Sequence, residues 1–226
     1  IKRADLERRQ AALHRELSAA REVQRVLVPP DAGVHGAIRY AVRMRPGLFV
    51  AGDLFDVFAL PDGRVGIFIG DVSGHGLGPA LVMAMTQAHL HAQLATHADP
   101  ARVVEEVNRY VAGHVADGRY VSLWLGLVAP DGELRYVDAG HGHWRVVRAV
   151  GGAEHSPGGG GIPVGIDPLH RFETRTTLLR PTDRLLLFSD GVVEQRNPTG
   201  EEFGVDRLLE AARDAATDPV AAIERA

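Results

Sequence analysis

Residues 50–84, VAGDLFDVFALPDGRVGIFIGDVSGHGLGPALVMA, limit what this chain can become more than any other stretch. Two apolar runs, residues 48–52 and 64–70, read as strands, and each delivers an acidic residue to its end, Asp53 and Asp71. Pro61-Asp62-Gly63 between them is a hairpin signal, so the two strands are expected to be antiparallel neighbours. A glycine-rich turn over 73–79 follows at once, and then an apolar helical segment. A carboxylate just past a buried strand stands on a rigid base where the backbone opens to solvent. That is a good position from which to hold a hard cation.

The rest of the composition bounds the answer. The 226 residues suffice for a single β-rich domain. The absence of cysteine excludes disulfides and thiolate metal sites and fits a reducing compartment, so a cytoplasmic protein is expected. The net charge of −4, with no basic run, excludes a nucleic-acid binder. No apolar stretch reaches the ~20 residues of a membrane span. The opening IKRADLERRQ lacks the apolar core of a signal peptide.

Residues 1–28 read as one helix, free of Gly and Pro, with Leu6, Leu13, Ala20 and Leu27 recurring every seven residues. Glutamines interrupt that narrow stripe, so the helix would be marginal alone. It is expected either to be a linker that pairs with a second copy or docks on the domain to carry a signal, or to be a surface helix packed on its own domain. Pro29-Pro30 end it, and residues 38–45 alternate as a strand.

Residues 79–94 are expected to be helical, with Leu81, Met85, Ala88 and Ala92 as the apolar face. Residues 99–115 form a second helix, with Asp99 as N-cap and Val103, Val104, Val107 and Val111 facing the core. Strand-like runs follow at 121–129, 133–139, 144–150, 172–179 and 184–189, with a turn at Asp131-Gly132. The tetraglycine at 158–161 lacks the Gly-Lys-Ser/Thr ending of a phosphate loop and reads as a flexible connection. A last helix runs from about 205 and breaks at Asp218-Pro219. Two helices within a series of antiparallel strands predict an α+β fold, with sheets packed face to face and helices outside.

A third acidic residue, Asp190 in LLLFSDGVVEQRN, also follows a strand-like run. If the strands are neighbours, Asp53, Asp71 and Asp190 can meet in one cleft, where they repel unless a cation neutralises them. All-oxygen ligands point to Mg²⁺ or Mn²⁺. Two such ions can hold a bridging hydroxide for in-line attack on phosphorus. The bland alternative is that each aspartate merely caps a strand or turn. Asp56 either supports Asp53 or caps its strand, and Glu194 and Asn197 are candidates for the rim of the cleft. His141-Gly142-His143 could suggest zinc, but neighbouring strand residues point to opposite faces, so a turn with hydrogen-bonded imidazoles is the better reading. His89 and His91 are two apart on a helix and face different sides.

Six segments together resemble one family: AREVQRVLVPP (20–30), AGDLFDV (51–57), DVSGHG (71–76), YVDAGH (136–141), GIPVGI (161–166) and DRLLLFSDGVVEQRNPTGEEFG (183–204). They are similar to the metal-dependent protein serine/threonine phosphatases of PPM (type 2C-like) kind, and within these to the bacterial SpoIIE/RsbU-like branch of sporulation and stress-response phosphatases. The resemblance implies an αββα four-layer sandwich, assigned to residues 29–226, while the 1–28 helix, read from its own periodicity, is the expected regulatory segment and possible homodimer contact. It implies hydrolysis of phosphoserine or phosphothreonine, on a phosphorylated anti-anti-sigma (STAS) factor in this branch. It also implies that Asp71 bridges two metals, that the Val72 carbonyl binds one, that Asp190 binds the other, and that Asp53 ligates a metal or its waters. Two departures stand out. Ser73 occupies the place of a general-acid histidine, and His75, two residues on, reads as a turn residue. The family's terminal Asp segment does not occur before Ala226, so one metal is expected to bind weakly. The competing expectation is a phosphatase-fold module, weak or inactive in catalysis, that acts by binding partners.

Overall fold

The computed structural model describes residues 24–45, 52–74, 76–115, 118–149, 152–154, 160–214 and 219–223, together with residues 11, 15, 18, 19 and 22. Most of the 1–28 helix therefore lies outside the described residues, as do His75, Asp218 and part of the tetraglycine. The residues described before Leu27 are helical, and that end is docked: Gln24 is buried, and the Gln87 side chain donates to the Leu27 carbonyl at 2.6 Å.

The first hairpin pairs β1 (Ala32–His35) with β2 (Ile38–Ala41). The main sheet is built from β3 (Leu54–Ala59), β4 (Val65–Val72), β5 (Val121–Val128), β6 (Glu133–Ala139) and β9 (Arg175–Leu178), antiparallel in that spatial order. A second sheet has the order β10-β7-β8, from β7 (Trp144–Val147), β8 (Ala153–Glu154) and β10 (Arg184–Leu187). The helices are α1 (Leu77–Leu94), α2 (Pro100–His114), the one-turn α3 (Asp190–Val193), α4 (Gly204–Asp214) and α5 (Pro219–Ile223). No helix among the described residues is long and apolar enough to cross a membrane.

Alternation along the strands sorts the apolar side chains into three packed zones. Leu54, Phe68, Val72, Leu123, Leu125 and Leu127 face Val82, Met83 and Leu90 of α1 and the valines of α2. From the opposite face, Val57, Val65, Ile67, Trp124, Leu134 and Tyr136 meet Trp144, Val146, Leu185 and Leu187 of the second sheet. Leu186, one residue out of step, points the other way, to Phe188, Val193 and Leu208. The order is helices, sheet, sheet, helix, so the α+β four-layer sandwich expected from the sequence is the observed architecture.

Several expectations are corrected. Asp53 precedes its strand, which starts at Leu54, and residues 48–51 fall outside the described set. On α1 the core face is Val82, Met83, Thr86, Gln87, Leu90 and Leu94, while Leu81 and Ala88 are exposed. α1 contains no Asp, Glu, Lys or Arg, so its periodicity selects no face. α2 has an apolar stripe bounded by charge, and its four predicted valines are all fully buried. Asp99 sits at the N-cap without making the capping bond. Thr174 Oγ1 accepts the Ala101 N–H at 3.1 Å instead, and Asp99 accepts from that hydroxyl at 2.6 Å and from Arg135 at 3.0 Å. The strands expected at 38–45, 144–150 and 172–179 end as shorter ladders, and β1 and α3 had no clear signal.

A candidate metal centre at the open end of the sandwich

The β3–β4 ladder pairs Leu54 with Gly70. One step further, Asp53 stands opposite Asp71. Two steps further, Gly52 accepts a hydrogen bond from Val72 N–H at 3.3 Å. Antiparallel pairing thus brings the start of one strand beside the end of the next, and two carboxylates far apart along the hairpin meet. By the same alternation both lie on the face that carries Val57, Val65 and Ile67, toward the second sheet. Asp190 comes from that second sheet, as the first residue of α3 just after β10.

The three carboxylates influence one another. Burial, and then the charge of Asp190, raise the pKa of Asp53. Burial first, then Asp53 and Asp190, push Asp71 up to about 6. Among the described residues no three acidic or imidazole groups are already drawn into metal-ligand geometry. Like charges repel, and hydrogen bonds at Val72 for Asp71 and from Gly191 N–H to Asp190 Oδ1 at 2.7 Å offset that only in part.

The donors nevertheless suit a hard divalent ion. They are carboxylate oxygens with one backbone carbonyl beside them. Gly52 supplies the test of fit, because a Cβ there would lie 3.1 Å from both Asp71 Oδ1 and the Val72 carbonyl oxygen. The absence of a side chain at 52 therefore keeps those two oxygens accessible from one side.

The surroundings are tied down by bonds that no motif announced. Ser73 N–H donates to the Tyr120 carbonyl, and Tyr120 N–H donates to Ser73 Oγ, both at 3.0 Å, so the turn after Asp71 is fastened to the segment entering β5. Ser122, opposite Asp71 on β5, donates its hydroxyl to the Asp71 carbonyl at 3.5 Å. Across the cleft, Asp138 accepts from His141 N–H (2.9 Å), Gly142 N–H (3.2 Å) and the Trp144 indole (3.0 Å). His141 Nε2 then lies 3.1 Å from the Phe188 carbonyl, and Phe188 N–H donates to the His143 carbonyl at 3.1 Å. This clamp holds the chain two residues before Asp190.

The remaining candidates separate cleanly. Asp56 points to the helix side and bonds His91 at 2.8 Å, away from Asp53. His89 stacks on Tyr110 with 4.1 Å between ring centroids. His141 and His143 belong to the clamp, as hydrogen-bonded turn residues. Glu194 is exposed, and Asn197 closes a turn onto Thr199 and Glu201. His75 lies outside the described residues.

The four-layer sandwich is the fold of PP2C-type domains. The SiaA-PP2C domain of Pseudomonas aeruginosa matches with a TM-score of 0.78 over 96% of this chain and 88% of that one, at 21% identity. The chain belongs to the stage II sporulation protein E (SpoIIE) family, whose model matches residues 61–226. Two similar relatives are each 25% identical over 86% of this chain: protein IcfG of Synechocystis and phosphoserine phosphatase RsbP of Bacillus subtilis. The chain spans 35% of the length of the first and 48% of the second.

Proposed function

We propose that this chain is a metal-dependent phosphoprotein phosphatase acting on phosphoserine or phosphothreonine. The observation that supports the reading is that Asp53 and Asp71 stand opposite each other on one hairpin and that the charge of Asp190, from the opposite sheet, acts on both. Membership of the SpoIIE family and the likeness to RsbP support it. Asp53, Asp71, Asp190 and the Val72 carbonyl would hold Mn²⁺ or Mg²⁺, two ions in all. When bound, such ions supply a nucleophile at neutral pH and offset charge on the phosphoryl oxygens.

The chain's own residues do the rest. Asp71 is ionised above about pH 6 and so presents its carboxylate at neutral pH. Bare Gly52 leaves its Oδ1 open. Ser73 and Tyr120 fix the turn that leaves it, and the Asp138–His141 clamp fixes the approach to Asp190. A phosphorylated anti-anti-sigma protein in the cytoplasm is the proposed substrate. Residues 1–28 are the proposed regulatory helix, acting through the Gln87–Leu27 contact or through pairing with a second copy. Deleting them is expected to change the oligomeric state or the rate.

With Mn²⁺, the purified protein is expected to hydrolyse an aryl phosphate and a phosphoserine protein, and Asp71→Ala is expected to abolish both activities. Turnover by that variant would refute the assignment. A second reading, a partner-binding module with weak metal sites, draws on the lack of a preformed cage among the described residues. Titration calorimetry with Mn²⁺ decides between them, since the module predicts no binding heat.

A further inference from the structure

α1 carries no charged side chain, and its first three turns are almost wholly apolar; such a stretch is normally largely covered. Here its outward stripe stands open: Leu77 is 50% and Leu81 59% exposed. Two more apolar side chains flank its first turn, Tyr120 at 41% and Ile166 at 54%. The backbone brings them there. Ser73 and Tyr120 exchange two hydrogen bonds, and Val121 and Val164 exchange two more. A Cβ on Gly165 would sit 3.4 Å from the Arg119 carbonyl oxygen and 3.6 Å from Tyr120 Cα. Four of the eight large apolar side chains exposed among the described residues are thus gathered around one helix start. Such gatherings on a soluble domain mark contact surfaces.

A cation lies in the middle. The Arg119 guanidinium rests on the first turn of α1, where a Cβ on Gly78 would be 2.8 Å from Nη1 and 3.3 Å from Cζ. Only a residue without a side chain lets it lie so close. Arg119 has no hydrogen bond or ion pair with the described residues, and the first turn of α1 holds no acidic group. Its planar fork of donors matches phosphate oxygens. The patch is continuous with the carboxylate cleft, since the Ser73 that anchors Tyr120 is two residues past Asp71.

We infer that Leu77, Leu81, Tyr120, Ile166 and Arg119 form the docking surface for the phosphoserine-bearing segment of a protein substrate. Arg119 takes the phosphoryl oxygens on approach, and the four apolar side chains take apolar residues that flank the phosphoserine. This deepens the phosphatase reading and rests on it.

The test uses the full chain and labelled peptides: a phosphoserine flanked by leucines, the same flanked by glycines, and both without phosphate. Binding is read by fluorescence anisotropy without divalent metal, and turnover of an aryl phosphate is read separately with Mn²⁺. Wild type is expected to prefer the leucine-flanked phosphopeptide. Leu77→Ser/Leu81→Ser is expected to weaken that peptide about tenfold while sparing the glycine-flanked one and aryl-phosphate turnover. Arg119→Ala is expected to bring the phosphorylated peptides to the level of their unphosphorylated forms. Leu77 and Leu81 are exposed and Arg119 is partly so, and aryl-phosphate turnover with Mn²⁺ reports that each variant is folded. Equal binding of all peptides by wild type and variants overturns the inference. So does conversion of a dimer to a monomer by the leucine variant with peptide binding unchanged, which would make the face a contact between copies. Failure of aryl-phosphate turnover in wild type counts against the phosphatase reading instead, because the binding arm does not depend on catalysis.

Discussion

Asp71 carries a pKa near 6 against an ordinary 3.8, because burial and then the charges of Asp53 and Asp190 disfavour its ionised form. The folded protein therefore holds this proton more tightly than the unfolded chain does. Unfolding between pH 4 and 6 releases it, and metal-free stability falls as pH rises through that window. Asp71→Asn removes the repulsion. Because the group is half exposed and screened, the gain at pH 7 is on the order of 1 kcal/mol, about 2–4 °C in the melting temperature of a chain this size. Differential scanning fluorimetry across pH 4–8 should show a flatter profile for the variant. Mn²⁺ binding by wild type should weaken below about pH 6, as protons compete for Asp71. His141 contributes differently. Burial first, and then His143, push its pKa down to about 4, so its ring is neutral with a single N–H, which the Phe188 carbonyl places on Nε2. His141→Leu keeps bulk but loses the donor, and amide exchange over residues 188–193 should quicken about tenfold, whereas His141→Gln should retain protection. Hydrogen-exchange mass spectrometry on metal-free protein reads both. The three aspartates stood out in the sequence because they recur together beside strand-like runs and turns, where any one alone could be a mere cap. The clamp was not, because it depends on Asp138 and Phe188 meeting across a turn that joins two sheets.

At the scale of elements, what the sequence revealed depended on contrast. α2 alternates valines with charge, and its face was readable. α1 has no charged residue to mark its outer face, so the stripe through Leu81 looked like core and proved to be surface. The turn between β3 and β4 was readable from Pro61-Asp62-Gly63 and forms as expected, with Gly63 N–H donating to the Leu60 carbonyl at 3.0 Å, but the strand entering it is 54–59 and not the expected 48–52. The glycines inside β4 read only as gaps in an apolar run, yet they set how closely strands approach. A Cβ on Gly70 would lie 2.4 Å from the Ser122 carbonyl oxygen, backbone in the adjacent strand that cannot yield without opening the ladder carrying Asp71. Gly70→Ala should therefore cost about 2–4 kcal/mol. Gly113→Ala, in α2 with nothing within 4 Å, should gain about 0.5–1 kcal/mol. Urea unfolding of the pair separates a glycine needed for close approach from one that merely weakens a helix.

For the molecule as a whole, the period-2 pattern implied two faces per strand and hence stacked sheets, but not which strands share a sheet. The partition decides the chemistry. β10 joins β7 and β8, apart from β3 and β4, so Asp190 belongs to one sheet and Asp53 and Asp71 to the β3–β4 hairpin of the other. The inter-sheet contact beneath them is aromatic, with Trp144 against Tyr136 at 4.8 Å and against Trp124 at 5.8 Å between ring centroids. A divalent ion held by carboxylates from both sheets would bind the closed sandwich and not the separated sheets, so it should act as a cross-layer tie. At free Mn²⁺ a hundredfold above its dissociation constant, linkage gives about 2.7 kcal/mol of added stability. In a chain of this length that is a rise of about 5–10 °C in melting temperature. Asp190→Asn leaves the hairpin pair intact while removing the second sheet's charge, so most of the Mn²⁺-dependent rise should vanish while the metal-free melting temperature stays level or climbs slightly. An undiminished Mn²⁺ shift in that variant would mean that the ion is held by one sheet alone, and that the two layers meet at this end without sharing it.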